Sequence, residues 1–246
     1  MKLLENLLGR LSGDSTKGSE NYVIGYKSIE EDMTSTKGSQ KWTVGDWYKY
    51  DGPLRMGYNG FHASTDLFSL YSLYKQGDVL GDRLFKVEAR GNVLKDKNRF
   101  VASEMRLVKE IDLKRLSVDY AASCARHVLN RYEVVYPDDS RPRSAIEAAE
   151  KWLKYPTEVK IGAVWRAARF SNYAAESAKT AALSASSAAL AAKTAGWSTS
   201  SPALAAQTAA WSAYSACYSN RRGEIKWQKN LLKGLVQKYY LDKTIA

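Results

Sequence analysis

The composition of this chain changes abruptly near residue 115, and that change restricts the fold more than any single motif. Before it, glycine, aspartate, aromatic and β-branched residues are mixed; beyond it, alanine, serine, lysine and tryptophan dominate and glycine becomes scarce. Alanine loses no side-chain entropy in a helix, so the second half reads as helical. Tryptophans and leucines recur through the alanine-rich stretches and supply a core, which separates them from disordered low-complexity sequence. The 246 residues are long enough for two domains with cores of their own. The expected organisation is an N-terminal helix and linker over 1–20, an α+β domain over 21–115, and an all-α, Ala/Trp-rich helical bundle over 116–246.

Charge follows the same division. The net charge is +11. Residues 1–115 hold 19 Lys and Arg against 16 Asp and Glu, and residues 116–246 hold 18 against 10. A basic helical half attracts nucleic acid, anionic surfaces or an acidic protein without specificity. Its basic residues are scattered, and no recognition helix or aromatic-basic ribbon accompanies them, so nucleic acid is only weakly supported as a partner. Cys124 and Cys217 form neither a zinc-type nor a disulfide-framework spacing, and His62 and His127 lack companions at ligand spacing. These features imply reduced thiols, a cytoplasmic setting and no metal site.

In the N-terminal segment, Leu3, Leu4, Leu7, Leu8 and Leu11 share a helical face interrupted by Glu5 and Arg10. That pattern fits a docking helix or mobile extension and argues against a secretory signal. Gly13 to Glu20 reads as a flexible linker. No run of 18 apolar residues is present to span a membrane.

In the first domain, Tyr22 to Tyr26 predicts a strand that leads to Lys27, and Lys41 to Tyr50 predicts strand with a turn at Gly45-Asp46. Asn59-Gly60-Phe61-His62-Ala63-Ser64 is a short strand running into an amphipathic helix. Leu67, Leu70, Tyr71 and Tyr74 form its buried face, with Ser64 or Thr65 as its cap. Leu84 to Ala89 and Phe100 to Ile111 alternate as strands, the first broken by Gly91. In the second half, Val118 to Tyr136 is a helix. The break Tyr136-Pro137-Asp138-Asp139-Ser140-Arg141-Pro142-Arg143 precedes another, with Pro142 in its first turn. Asp138, Asp139, Arg141 and Arg143 either fix this turn by capping and ion pairs or present an interaction surface. Tyr155 to Thr157 ends that helix and Thr157 caps a third. A fourth runs from Ala203 to about Tyr240, with a break near Gly223, and Trp165, Trp197, Trp211 and Trp227 fill the gaps between alanine-lined helices.

Three resemblances follow from these residues. Tyr26-Lys27, Val44-Gly45, Gly60-Phe61-His62-Ala63, Val87-Glu88-Ala89 with Gly91, and Val101-Ala102-Ser103 resemble a domain of unassigned function found in phage and bacterial proteins. More distantly, Gly60 to Ser64 with Tyr74 downstream, Leu84 to Val93, and Ser103 to Val108 are similar in order to the core of ADP-ribosyltransferases. That likeness implies an NAD-binding pocket with Glu104 and His62 as catalytic residues and Lys27, Tyr26, Ser64 and Tyr74 as cofactor contacts. The activity implied is ADP-ribosyl transfer or NAD hydrolysis, in which a carboxylate stabilises the charge that develops as nicotinamide leaves. Lys27 and His62 depart from the histidine and tyrosine usual in that family. Finally, Cys124 to Leu129, Tyr136 to Arg143, Ala145 to Ala149 and Trp152 resemble a helical family of bacterial immunity proteins (immunity-5-like). This implies a toxin or defence component bound through residues 116–246, in a protein associated with phage or mobile elements. Two functions remain open: a nucleotide-using enzyme with an interaction bundle, or a non-enzymatic immunity protein.

Overall fold

The computed structural model of the chain describes residues 22–76, 81–156, most positions of 180–191, 202–216 and 221–240; the side chains of 72–76, 203 and 221 are not included. The expected N-terminal helix and linker, the Thr157 cap, most of the alanine-rich run, Trp165, Trp197 and Cys217 lie outside the described residues. An antiparallel sheet comes first and helices follow.

The sheet contains β1 (Val23–Ile29), β2 (Tyr48–Lys49), β3 (Phe61–Ser64), β4 (Arg83–Lys95) and β5 (Arg99–Ile111) in the order β2-β5-β3-β1-β4. β4 also pairs with β5, so β1, β3, β5 and β4 close on one another in a small ring. Gly25 permits this closure. A Cβ there would lie 2.5 Å from the Phe100 ring and 2.6 Å from the Ser64 carbonyl oxygen. Gly91 does not end β4 as its sequence suggests. It adopts φ +73° in a bulge, where Asn92 N–H donates to Ser103 Oγ, and pairing with β5 resumes at Val93. The segment Lys41 to Tyr50 is strand only at Tyr48–Lys49. Trp42 explains the difference: its indole donates to Ser35 Oγ, its ring packs edge-on against Tyr48 and Phe61, and the segment folds as a cover over the sheet.

Helix α1 (Leu67–Gln76) begins at Asp66, whose carboxylate accepts from Ser69 N–H at 2.7 Å. Asp66 is therefore the cap in place of Ser64 or Thr65, and its position immediately before Leu67 puts Ser69 at N3, the N–H that an N-cap side chain reaches. The second half contains α2 (Leu113–Val128), a single turn α3 (Asn130–Glu133), α4 (Arg141–Lys154), helical residues within 180–191, α5 (Pro202–Ala216) and α6 (Arg221–Lys238). Pro142 sits in the first turn of α4 as expected. Gly223 lies inside α6 and does not break it. Trp211 is 44% exposed and fills no gap in the core.

Strand alternation divides the burial between two cores. Phe85, Val87 and Ala89 face Trp42, Phe100, Met105 and Leu107. Leu84 and Ile111 turn the other way, into a cluster with Leu67, Leu70 and Tyr71 of α1 and the apolar faces of the second-half helices. Tyr71 hydroxyl meets Ser117 Oγ at 2.9 Å, and its ring lies against Tyr120. The chain returns to the sheet at its far end, where Tyr240 bridges Ile111 and Asp112 N–H donates to the Tyr239 carbonyl.

Candidate functional site

Alternation along β1 points Tyr26 and Lys27 to opposite faces of the sheet. Tyr26 packs against the helical cluster and hydrogen-bonds Tyr240, and burial pushes its phenol up to about 12. Ser64, its register partner on β3, is buried. Lys27 lies on the Trp42 side, with Nζ 5.6 Å from that ring centre and donating to the His62 carbonyl at 3.1 Å. Burial of the amine lowers it to about 8. Tyr26 and its partner Ser64 thus lie on one face of the sheet and Lys27 on the other. Tyr74 lies on α1, its side chain outside the described set.

The His62 ring folds back on its own loop. Nε2 accepts from Gly57 N–H at 2.8 Å, and Nδ1 lies 3.0 Å from the Gly60 carbonyl. These contacts require the tautomer with its proton on Nδ1, and protonating Nε2 would sacrifice the Gly57 bond. Burial is the largest cause lowering the imidazole pKa; the hydrogen bond to the Gly60 carbonyl opposes it, and the charges of Lys27 and Arg99 add to the lowering. His62 is therefore held neutral with both ring nitrogens engaged.

Glu104 is on β5, three residues from Val101, the register partner of His62. That separation is about 10 Å along a strand. Its carboxylate accepts from Arg90 Nε at 2.7 Å, and the Arg90 guanidinium stacks 4.1 Å from the Trp47 ring centre. Arg106 joins the same ring at 4.9 Å while paired with Glu88. The structure brings Lys27 to His62 and places Glu104 in a separate arginine–tryptophan brace. Arg90 and Arg106 were the unread signal, since each lies opposite a glutamate in the β4–β5 register.

In the second half the Tyr136–Arg143 block makes a braced corner between α3 and α4. Arg141 grips the Asp139 carboxylate through Nε and Nη2, and Tyr132 hydroxyl donates to the same group. Arg143 pairs with Glu133 at 2.6 Å. Outside this brace, Val134 is 83% exposed and Val135 44%, beside a surface pocket of 490 Å³ lined by Val135, Tyr136, Pro137, Asp138, Asp139 and Arg141.

A second polar set joins α2 to α6. His127 stacks on Trp227 with ring centres 3.9 Å apart, and its Nε2 is 3.3 Å from the buried Glu224. Burial raises the Glu224 carboxyl, and His127 pulls against that rise. Gln228 accepts from Tyr120 and donates to the Ala213 carbonyl, which satisfies the neighbouring buried amide. Among the described residues, no group of three His, Cys, Asp or Glu is placed to hold a metal, and no helix is long and apolar enough to cross a membrane.

Residues 108–235, more than half of the chain, match the family described as Imm-5 like putative immunity protein. The chain belongs to this immunity-protein family. Residues 23–119 match a domain of unknown function, DUF7666. The resemblance to ADP-ribosyltransferases gains no support from either match. Searches of curated proteins and of solved structures find no match to the chain. The two family regions overlap across residues 108–119, the end of β5 and the first turns of α2.

Proposed function

We propose that this immunity-family protein acts by binding a toxin protein through its helical half, without a catalytic step of its own. The observation that carries this reading is the engagement of the candidate catalytic groups in structural bonds. Both His62 nitrogens serve the Gly57–Gly60 loop, and Glu104 serves Arg90. A general acid–base or charge-stabilising role requires a group free to meet substrate, and here each would first have to break a native contact. The first domain then acts as a scaffold for the bundle. A phage or mobile-element setting belongs to the same reading.

The test is co-expression with a panel of candidate bacterial toxins, one at a time, with growth of a sensitive bacterial host as readout. Wild type and Glu104→Gln are expected to restore growth equally and to co-elute with the toxin. Absence of protection by the folded wild type would overturn the reading. A second reading, an ADP-ribosyltransferase-like domain that binds NAD, draws on the lowered Lys27 amine beside His62. It requires nicotinamide release from NAD that Glu104→Gln abolishes, measured by chromatography on the purified protein.

A further inference from the structure

Within the Tyr136–Arg143 block the acidic residues do different work. Asp139 is consumed by Arg141 and Tyr132. Asp138 is exposed and has no hydrogen bond or ion pair among the described residues, although it lines the same pocket. Of the charged side chains around it, Asp139 pairs with Arg141 and Glu133 with Arg143, while Arg131 is turned to the Ala216 carbonyl. One uncompensated negative charge is therefore displayed on a chain whose net charge is +11. Val135 lines the same pocket and Val134 precedes it in the chain, both of them exposed apolar side chains of the bundle.

We infer that the corner from Val134 to Asp138 seats a segment of the partner protein that presents an aliphatic or aromatic side chain next to a lysine or arginine. This rests on the immunity reading and names the surface and the partner chemistry for it. Seating an apolar side chain on Val134 and Val135 removes both from water and draws Asp138 into a drier setting. A carboxylate desolvated in that way needs a cation to offset the loss of hydration. An acidic segment would meet repulsion, and an uncharged one would leave the carboxylate without a partner. Arg141 cannot supply the cation, since its guanidinium already spans both oxygens of Asp139. The corner is also held in place before binding by the Tyr132–Asp139–Arg141 and Glu133–Arg143 contacts, which reduces the ordering cost of association. A small apolar centre with one charged anchor is the arrangement from which binding hot spots are built.

The experiment is selection of a displayed library of random dodecapeptides on the full-length protein, followed by fluorescence anisotropy with the enriched peptides. Three proteins are compared: wild type, the double variant Val134→Glu/Asp138→Lys, and Lys95→Glu on the exposed tip of the β4–β5 hairpin. Enriched peptides are expected to place Lys or Arg beside an aliphatic or aromatic residue. Their affinity is expected to fall by about tenfold or more in the double variant and to be unchanged in Lys95→Glu. Both altered side chains in the double variant are exposed, so its thermal midpoint should match the wild type and show that folding is intact. Enrichment of acidic peptides, or undiminished binding to the double variant, would overturn the inference. The co-expression assay separates this result from the broader reading. Protection by the double variant equal to wild type would remove this surface and leave the immunity reading standing. Failure of the wild type to protect, with peptide capture at the corner retained, would remove the immunity reading alone.

Discussion

The Asp139 carboxylate takes hydrogen bonds from the Arg141 guanidinium, the Arg141 backbone N–H and the Tyr132 hydroxyl. The Arg141 bonds are the largest cause holding its pKa well below the ordinary carboxylate range, with Tyr132 adding in the same direction. A carboxyl depressed in the folded state stabilises the protein at pH above its unfolded value, about 3.9, and that contribution disappears as pH falls through the folded value. Asp139→Asn should therefore lower stability at pH 7 and cost progressively less as pH is taken below about 4. The partner Arg141 is 47% exposed, so solvent screening reduces the effect to about 1 kcal/mol. Urea unfolding of both proteins at pH 7 and pH 3 measures it; a difference independent of pH would show that the bonds contribute through shape alone.

At the scale of elements, the ring closure of the sheet depends on Gly25. A methyl group there would meet both a phenylalanine ring and a backbone carbonyl, and the carbonyl belongs to β3 and cannot swing aside as a flexible side chain can. Gly25→Ala should destabilise the protein by about 1–3 kcal/mol, read as a lower urea midpoint with an unchanged slope. This constraint was not legible in the chain, because Tyr-Val-Ile-Gly-Tyr reads as strand whether or not another strand approaches it. Elements with a strong period were legible: Phe100 to Ile111 alternates, and Ala145, Ile146, Ala149 and Trp152 lie at helical spacing and are buried. Gly91 was misread because a positive-φ residue can bulge a strand as readily as end it. For the candidate site, the sequence placed Lys27 at the end of one strand and His62 in another but could not show that the two strands pair or which atoms meet. The contact uses the His62 carbonyl and leaves its ring to the loop, and cross-strand Arg90 determines the company of Glu104.

Across the whole molecule, α1 is where two regions of different composition become one folded body. It follows β3 directly in the chain, yet Leu67, Leu70 and Tyr71 share their core with α2, α4, α5 and α6 as well as with Leu84 and Ile111 of the sheet. The C-terminal end of α6 then returns to Ile111, Asp112 and Tyr26, so the sheet is held to the helices at two separate places. With the core continuous through α1, neither half can expose its contact face without losing buried area that the other half uses. Unfolding should therefore be a single calorimetric transition despite the compositional boundary. Leu70, 3% exposed, is the residue to test it with. Leu70→Ala removes side-chain volume from the shared core and should cost about 2–5 kcal/mol. Hydrogen exchange followed by mass spectrometry should show the slowest amides of β4, β5 and α2 all losing protection by a similar factor. If the wild type melts in two steps, or if Leu70→Ala speeds exchange in the helices and leaves β4 and β5 unchanged, the halves are separate folding units and α1 belongs energetically to the bundle alone.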